Sequence, residues 1–264
     1  MFKSTKYPIH IIEFPQLNST NIYCKSVANK EPKSEMVVLA HYQSHGKGQF
    51  GNLWDSEAAK NLTFSILYHP SKLDSMHFFQ LNMAVSLGVN AAIEKYVENT
   101  LPSRMTDLQS SLKVKWPNDI YFNSYKIGGI LIENCIQANQ IEQSIIGIGL
   151  NLNQTQYHEN TKNANSLKSL FKHDIDREYM FDLLIEHIFK LLPLSMHELS
   201  NQYISKLYGF QKLAIYTQNN TSFVGKITSI DKDGRLVMDI ISESQTQEQK
   251  FFHKEIEFTH KFLD

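Results

Sequence analysis

The sequence predicts an α+β protein, a mixed β-sheet flanked by helices, with a small C-terminal β-barrel. Three observations carry that prediction. Apolar runs of strand length, such as Met36-Val37-Val38-Leu39-Ala40 and Ile141 to Ile148, are bounded by turn-forming residues. Two long stretches, Phe78 to about Val97 and Arg177 to Leu191, repeat apolar residues at helical spacing. Beyond Gly209-Phe210-Gln211 the pattern is β only, which divides the chain into residues 1–208 and 212–264.

In order, Ile9 to Phe14 reads as a strand. Ser19 or Thr20 caps a helix predicted from Asn21 to about Asn29. Met36 to Ala40 is a buried strand leading into Gly46-Lys47-Gly48-Gln49-Phe50-Gly51-Asn52-Leu53-Trp54. Those glycines match G-x-G-x-x-G, but no apolar-periodic helix follows and no strand-ending acid stands ~20 residues on, so a dinucleotide fold is rejected. What remains is a flexible glycine loop with a cation, Lys47, and an aromatic lid, Trp54. His41 and His45 are four apart on a strand and loop, where that spacing does not converge on a metal.

Asn61 to Tyr68 is a further strand, and the stripe from Phe78 to Val97 is a core helix. Residues 98–112 read as a polar, irregular connector. Lys113-Val114-Lys115-Trp116 alternates like a half-buried strand, and Pro117 ends it. Ile120 to Phe122 and Tyr125 to Ile132 then pair as a hairpin across Asn123-Ser124. Gly128 and Gly129 lie inside that hairpin, where glycine signals close approach of a ligand or another backbone. Lys126, two residues upstream, sets an ammonium over that bare floor, an arrangement suited to a carboxylate or phosphate.

Ile141 to Ile148 reaches a second glycine pair, Gly147 and Gly149, and then Asn151. Gln154 to Asn163 holds almost nothing to bury and reads as a mobile flap. The helix from Arg177 is broken by Pro193, and a shorter one runs to about Tyr208. In the tail, Leu213–Thr217, Phe223–Ile230, Leu236–Ile241 and Phe251–Phe258 are predicted strands, with turns at Asn219-Asn220 and Asp231-Lys232-Asp233-Gly234. An SH3-like barrel is the natural way to close them.

Composition narrows the function. The 264 residues carry 26 basic and 27 acidic side chains, so no net field draws the chain to nucleic acid or a membrane surface. The tail, with seven basic and eight acidic residues, is equally balanced. Two cysteines make no disulfide framework, which suits the cytoplasm. No run approaches the ~18 apolar residues of a membrane span.

The run Lys115-Trp116-Pro117-Asn118-Asp119, with Lys126 and Gly129-Ile130-Leu131, resembles the signature of biotin protein ligases. Ser19-Thr20-Asn21, the glycine loop, Gly147-Ile148-Gly149-Leu150-Asn151 and the terminal β unit resemble that family in the same order, so the likeness covers nearly the whole chain. It implies a class II synthetase-like biotin/lipoate ligase catalytic domain with an SH3-like C-terminal domain. The implied activity joins biotin to ATP as biotinyl-5'-AMP, then passes biotin to a lysine of a biotin carboxyl carrier protein.

On this resemblance Ser19, Thr20, Gln43, Gly46, Lys47, Trp54, Lys126 and Gly129 meet biotin. Lys47, Gln49, Lys115, Asn118, Lys126 and Asn151 meet ATP, with Mg2+ on the triphosphate and no metal ligands assigned. Lys126 is the catalytic cation, and Asp119 orients it or assists the incoming lysine. Lys47 and Gln49 stand where relatives often carry arginines, which removes a planar fork at one position and a charge at the other.

Repressor members of the family add an amino-terminal DNA-binding domain. Catalytic-type sequence begins here within the first ~20 residues, so no DNA binding is expected. Monomer and homodimer both stay open. The competing readings are a lipoate or octanoate ligase of the same superfamily and a non-enzymatic biotin sensor. Adenylation of lipoate with none of biotin would identify the first, and biotin binding without ATP dependence the second.

Overall fold

Alternation at period two, combined with burial on both faces, decides the architecture. The computed structural model describes residues 2–28, 35–158, 161, 163–242 and 245–263. Its first elements are β1 (His10–Phe14), α1 (Thr20–Val27), β2 (Met36–Ala40), β3 (Gly46–Lys47), β4 (Leu53–Trp54) and β5 (Leu62–Tyr68). Next come α2 (Phe79–Thr100), α3 (Met105–Ser111), β6 (Leu112–Lys115), β7 (Asp119–Phe122), β8 (Tyr125–Gln137) and β9 (Gln140–Leu150). Three helices follow, α4 (Leu167–Phe171), α5 (Arg177–Leu191) and α6 (Met196–Ser205). The tail adds β10 (Leu213–Gln218), β11 (Thr221–Ile230), β12 (Leu236–Ile241), β13 (Thr246–Phe251) and β14 (Glu257–Phe262).

Seven strands form one sheet in the order β1-β2-β5-β9-β8-β7-β6. Among the described residues only the β1–β2 ladder of this sheet is parallel, so the sheet is mixed, as the sequence predicts. Every residue of β2 is buried, and alternate ones feed opposite layers. Val37 and Leu39 join Phe64, Ile66, Ile146 and Ile148 under α2 and α5. Met36 and Val38 join Leu67, Ile145 and Cys24 under α1. Close helix packing needs Gly88, where a Cβ would lie 2.8 Å from the Ile188 Cα.

Several expectations change. Most of residues 98–111 are helical: α2 runs to Thr100, a 3-10 turn covers 102–104 and α3 covers 105–111, with Leu112 opening β6. Leu101, Met105, Leu108 and Leu112 keep helical spacing among polar neighbours, and all four pack into or against the core. The single strand expected over Phe251–Phe258 is the end of β13, a turn, and the start of β14. The short helix α4 went unread in the sequence. The helix end expected at Asn29 lies outside the described residues.

The tail folds as a five-stranded antiparallel sheet, β13-β12-β11-β10-β14, bent by register shifts after Ile215 and Ile227. Among the described residues no ladder joins β13 to β14, so the sheet stays open. The expected turns are present, with Asn219, Asn220 and Gly234 all at positive φ. This sheet is fixed to the first by the signature tryptophan. The Trp116 indole N–H donates to the Gly234 carbonyl at 2.9 Å, and a Cβ at Gly234 would meet the Phe79 ring at 2.5 Å. Among the described residues no helix is long and apolar enough to cross a membrane.

Candidate active site

The α1 face of the large sheet carries a cross-strand row whose two middle positions, Gly129 and Gly149, have no side chain. Asp119 pairs with Gly129, Gly129 with Gly149, and Gly149 with Thr63 across β7, β8, β9 and β5. Sequence reasoning leaves that floor bare for a ligand. The structure lays the Trp54 indole on it instead. A Cβ at Gly149 would fall 2.3 Å from Trp54 Cε2, and one at Gly129 would fall 3.2 Å from Cζ3. Trp54 is therefore a wall seated on the glycines, not a lid above them.

The expected glycine loop 46–54 is a small hairpin, β3 with β4, around a single 3-10 turn. Gly46 is required where the two strands touch, since a Cβ there would lie 2.4 Å from the Trp54 carbonyl oxygen. The hairpin brings Lys47 and Gln49 to the same cavity.

Lys126 reaches the site through a bulge. By simple alternation Lys126 and Gly129 would face opposite sides of the sheet. The β7–β8 register skips Ile127, pairing Ile120 with Gly128 and Tyr121 with Lys126. Lys126 thereby shares a face with Tyr121 and Asp119, while Ile127 is buried in the core. Its Nζ lies 2.6 Å from Asp119 Oδ1 and 6.0 Å from the centre of the Trp54 ring. Its backbone N–H donates to the Asn163 carbonyl and its carbonyl accepts from Asn165, so 163–165 adds to the sheet beside it.

Two cavities meet at Lys126 and Trp54. The first is lined by Ser19, Thr20, Asn21, Gln43, Lys47, Gln49, Asn118, Asp119 and the glycine floor. The second holds Asp55, Tyr121, Asn151, Tyr157 and Asn163. Around them Gln49 Oε1, Trp54 Nε1, Asn151 Oδ1 and His253 Nδ1 are buried with no hydrogen-bond partner among the described residues. Such atoms destabilise a fold by about 1–3 kcal/mol each, so their clustering marks where a polar ligand completes the structure.

Several of the expected residues also have partners within the fold. Ser19 holds the N-cap position of α1, but its side chain makes no cap hydrogen bond, and Thr20 is the first helical residue. Both hydroxyls stay with the cavity. Asn118 gives its amide N–H to the Ile130 carbonyl, locking the signature turn to β8. Lys115 lines neither cavity. Its amine lies 3.4 Å from the Tyr121 hydroxyl and 3.3 Å from His260 Nε2, and burial pulls it below its ordinary value. The flap is more anchored than its composition suggests. Gln154 is buried, its side-chain Oε1 accepting from the Glu57 backbone N–H and the Asn61 amide. Residues 159, 160 and 162 of the flap lie outside the described residues.

The residue that sequence reasoning missed is His253. It sits in the turn between β13 and β14 and reaches from the tail into the first cavity, edge-on to Trp116 at 5.8 Å. No spacing in the sequence links it to the signature. Burial holds both His253 and His260 below their ordinary pKa of 6.5, with Lys115 adding to each and Asp119 opposing at His253. The folded chain thus keeps both neutral where the unfolded chain binds protons. Stability should be full above pH 6.5 and fall as the pH drops from 6.5 towards the lowered values. Thermal melts from about pH 7.5 to about 5.5 should show the decline, and His253→Gln with His260→Gln should make it shallower. An unchanged slope in the double variant would count against this assignment.

Comparison with known proteins bears on this geometry. Residues 13–151, more than half of the chain, match the model of the biotin/lipoate A/B protein ligase family. The chain belongs to that family. It is 26% identical to the bifunctional ligase/repressor BirA of Bacillus subtilis, over 87% of this chain and 69% of that protein. It is 24% identical to the biotin–[acetyl-CoA-carboxylase] ligase of Mycobacterium tuberculosis, over 78% and 73%. The biotin protein ligase of Aquifex aeolicus, solved with biotin and ATP, superposes with a TM-score of 0.70 at 24% identity, covering 94% of this chain and 97% of that one. In this ligase-family chain the matched residues include the α1 polar cluster, the glycine floor and Lys126.

Proposed function

We propose that this chain is a biotin protein ligase: it activates biotin with ATP and transfers it to a lysine of a biotin carboxyl carrier protein. The observation that carries the reading is the meeting of two cavities, one polar and one mixed, at one ammonium, Lys126, with Trp54 as their common wall. Curated relatives named as biotin ligases, over most of the chain, support the same substrate class.

In the first step a biotin carboxylate oxygen attacks the α-phosphorus of ATP. The new C–O–P bond forms as the α–β bridge breaks, releasing pyrophosphate. Two anions must approach, so positive charge fixed in advance lowers the barrier. Lys126 supplies it, and the Asp119 carboxylate at 2.6 Å keeps the amine from swinging away. In the second step the carrier's lysine attacks the acyl carbon, forming the amide and releasing AMP. Asp119, beside Lys126 on the cavity wall, would accept the proton that amine must lose. The β3–β4 hairpin, with Tyr157 and Asn163 at the second cavity, shields the mixed anhydride from water.

Magnesium fits the second cavity. Asn151 Oδ1, buried without a partner, and Asp55 offer oxygen donors of the kind Mg2+ takes beside waters and phosphates. Bound there, the ion would neutralise triphosphate charge. We further place the chain boundary between a catalytic unit, 1–208, and an SH3-like unit, 212–264, whose bent five-stranded sheet suits that module. A cytoplasmic location goes with this substrate set.

The test is pyrophosphate exchange into ATP with biotin as sole acid, and lipoate as control. Biotin-dependent exchange is expected. Exchange with lipoate and none with biotin would move the chain to the lipoate branch of its family, and no exchange with either would remove the ligase reading.

A further inference from the structure

Hydrogen bonds behind the first cavity run in one direction only. Glu133 Oε2 lies 2.9 Å from Asn21 Nδ2, and a carboxylate only accepts, so Asn21 turns its amide N–H to Glu133. Asn21 Oδ1 then faces Ser65 Oγ at 2.6 Å and takes that hydroxyl's hydrogen. Ser65 Oγ is also 2.6 Å from Thr20 Oγ1. A hydroxyl has one hydrogen, and that of Ser65 is already placed, so the 2.6 Å contact is made by the Thr20 hydrogen, in preference to Gln43 Oε1, which lies farther off at 3.2 Å. The chain Thr20→Ser65→Asn21→Glu133 is thereby polarised from its acidic end.

Two consequences reach the cavity. Thr20 Oγ1, having given up its hydrogen, presents only lone pairs. The Thr20 backbone N–H holds Gln43 Oε1 at 2.7 Å, which leaves the Gln43 Nε2 hydrogens as donors. An acceptor and a donor thus sit side by side on the cavity wall. That pair matches a ring N–H next to a carbonyl, the edge of a cyclic urea, and mismatches a saturated or disulfide ring. The relay is built in: Ser65 is fully buried, Asn21 is 3% exposed, and a Cβ at Gly147 would lie 2.2 Å from Asn21 Oδ1.

We infer that Glu133, acting through Asn21 and Ser65, is a positioning residue that fixes Thr20 as an acceptor and so selects a cyclic urea over other rings. This rests on biotin being the substrate. In the full chain, biotin-dependent pyrophosphate exchange would be measured for Glu133→Gln, Ser65→Ala, Thr20→Val and Thr20→Ser. Biotin is compared with biotin methylated on a ureido nitrogen. Ser65→Ala and Glu133→Gln free the Thr20 hydrogen to reverse. They should raise KM for biotin about tenfold, with kcat and KM for ATP near wild type. Discrimination against the methylated ring should shrink by a similar factor. Thr20→Val should lose it, and Thr20→Ser should retain it.

Unchanged discrimination in Ser65→Ala and Glu133→Gln overturns the inference, as does a matched fall in kcat and ATP affinity, which marks a merely structural effect. Absence of biotin-dependent exchange in the unsubstituted chain would instead sink the parent reading, and the two failures are separable in one experiment.

Discussion

Lys126→Ala should lower biotin-dependent pyrophosphate exchange about thirtyfold or more, while the protein melts close to wild type. The two halves of that expectation have different causes. Lys126 and Asp119 are 34% and 23% exposed, and an ion pair so wetted contributes only about 0–1 kcal/mol to folding. In the reaction the same ammonium faces two acids at once, where losing one partner of a desolvated charge pair costs roughly 2–5 kcal/mol. That range corresponds to rate losses of about 30-fold to several thousandfold. Lys126→Arg should rescue little, since a guanidinium fork is bulkier and aims its donors differently. A Lys126→Ala enzyme that exchanges pyrophosphate at near wild-type rate would falsify the proposed role outright.

Gly149→Ala should be nearly as damaging, although it adds one methyl group. Its Cβ would overlap the Trp54 indole at 2.3 Å, and neither the strand nor the ring can absorb so much. Overpacking of this kind destabilises by about 1–3 kcal/mol if the ring stays. If the ring leaves, both cavities lose their shared wall. Either route should weaken biotin and ATP together, read by calorimetry, and shift the Trp54 fluorescence. Adding Trp54→Ala should restore stability without restoring binding. Wild-type affinity in Gly149→Ala would show that the indole does not lie on the glycines in solution.

Much of this was legible in the sequence, for identifiable reasons. Strands such as Met36–Ala40 and helices such as Arg177–Leu191 follow from apolar periodicity, and the structure reproduces them residue for residue. The Gly128-Gly129 and Gly147/Gly149 pairs announce a close approach, and one occurs. What approaches is less legible, because Trp54 is linked to Gly149 only by folding. The facing of Lys126 depends on a skipped residue in the β7–β8 ladder, and no local propensity signals which residue a register will skip. Ser19 has the composition of a cap, yet its side chain is withheld from that duty. His253 lies in a run, Phe251-Phe252-His253-Lys254, that reads as strand until the backbone is seen to turn.

The indole of Trp116 grips the Gly234 carbonyl while the β13–β14 turn lends His253 to the vitamin chamber. The chamber is therefore a property of both sheets at once. A shorter or exchanged tail would not merely drop an appendage; it would leave the reactive anhydride behind a missing pane.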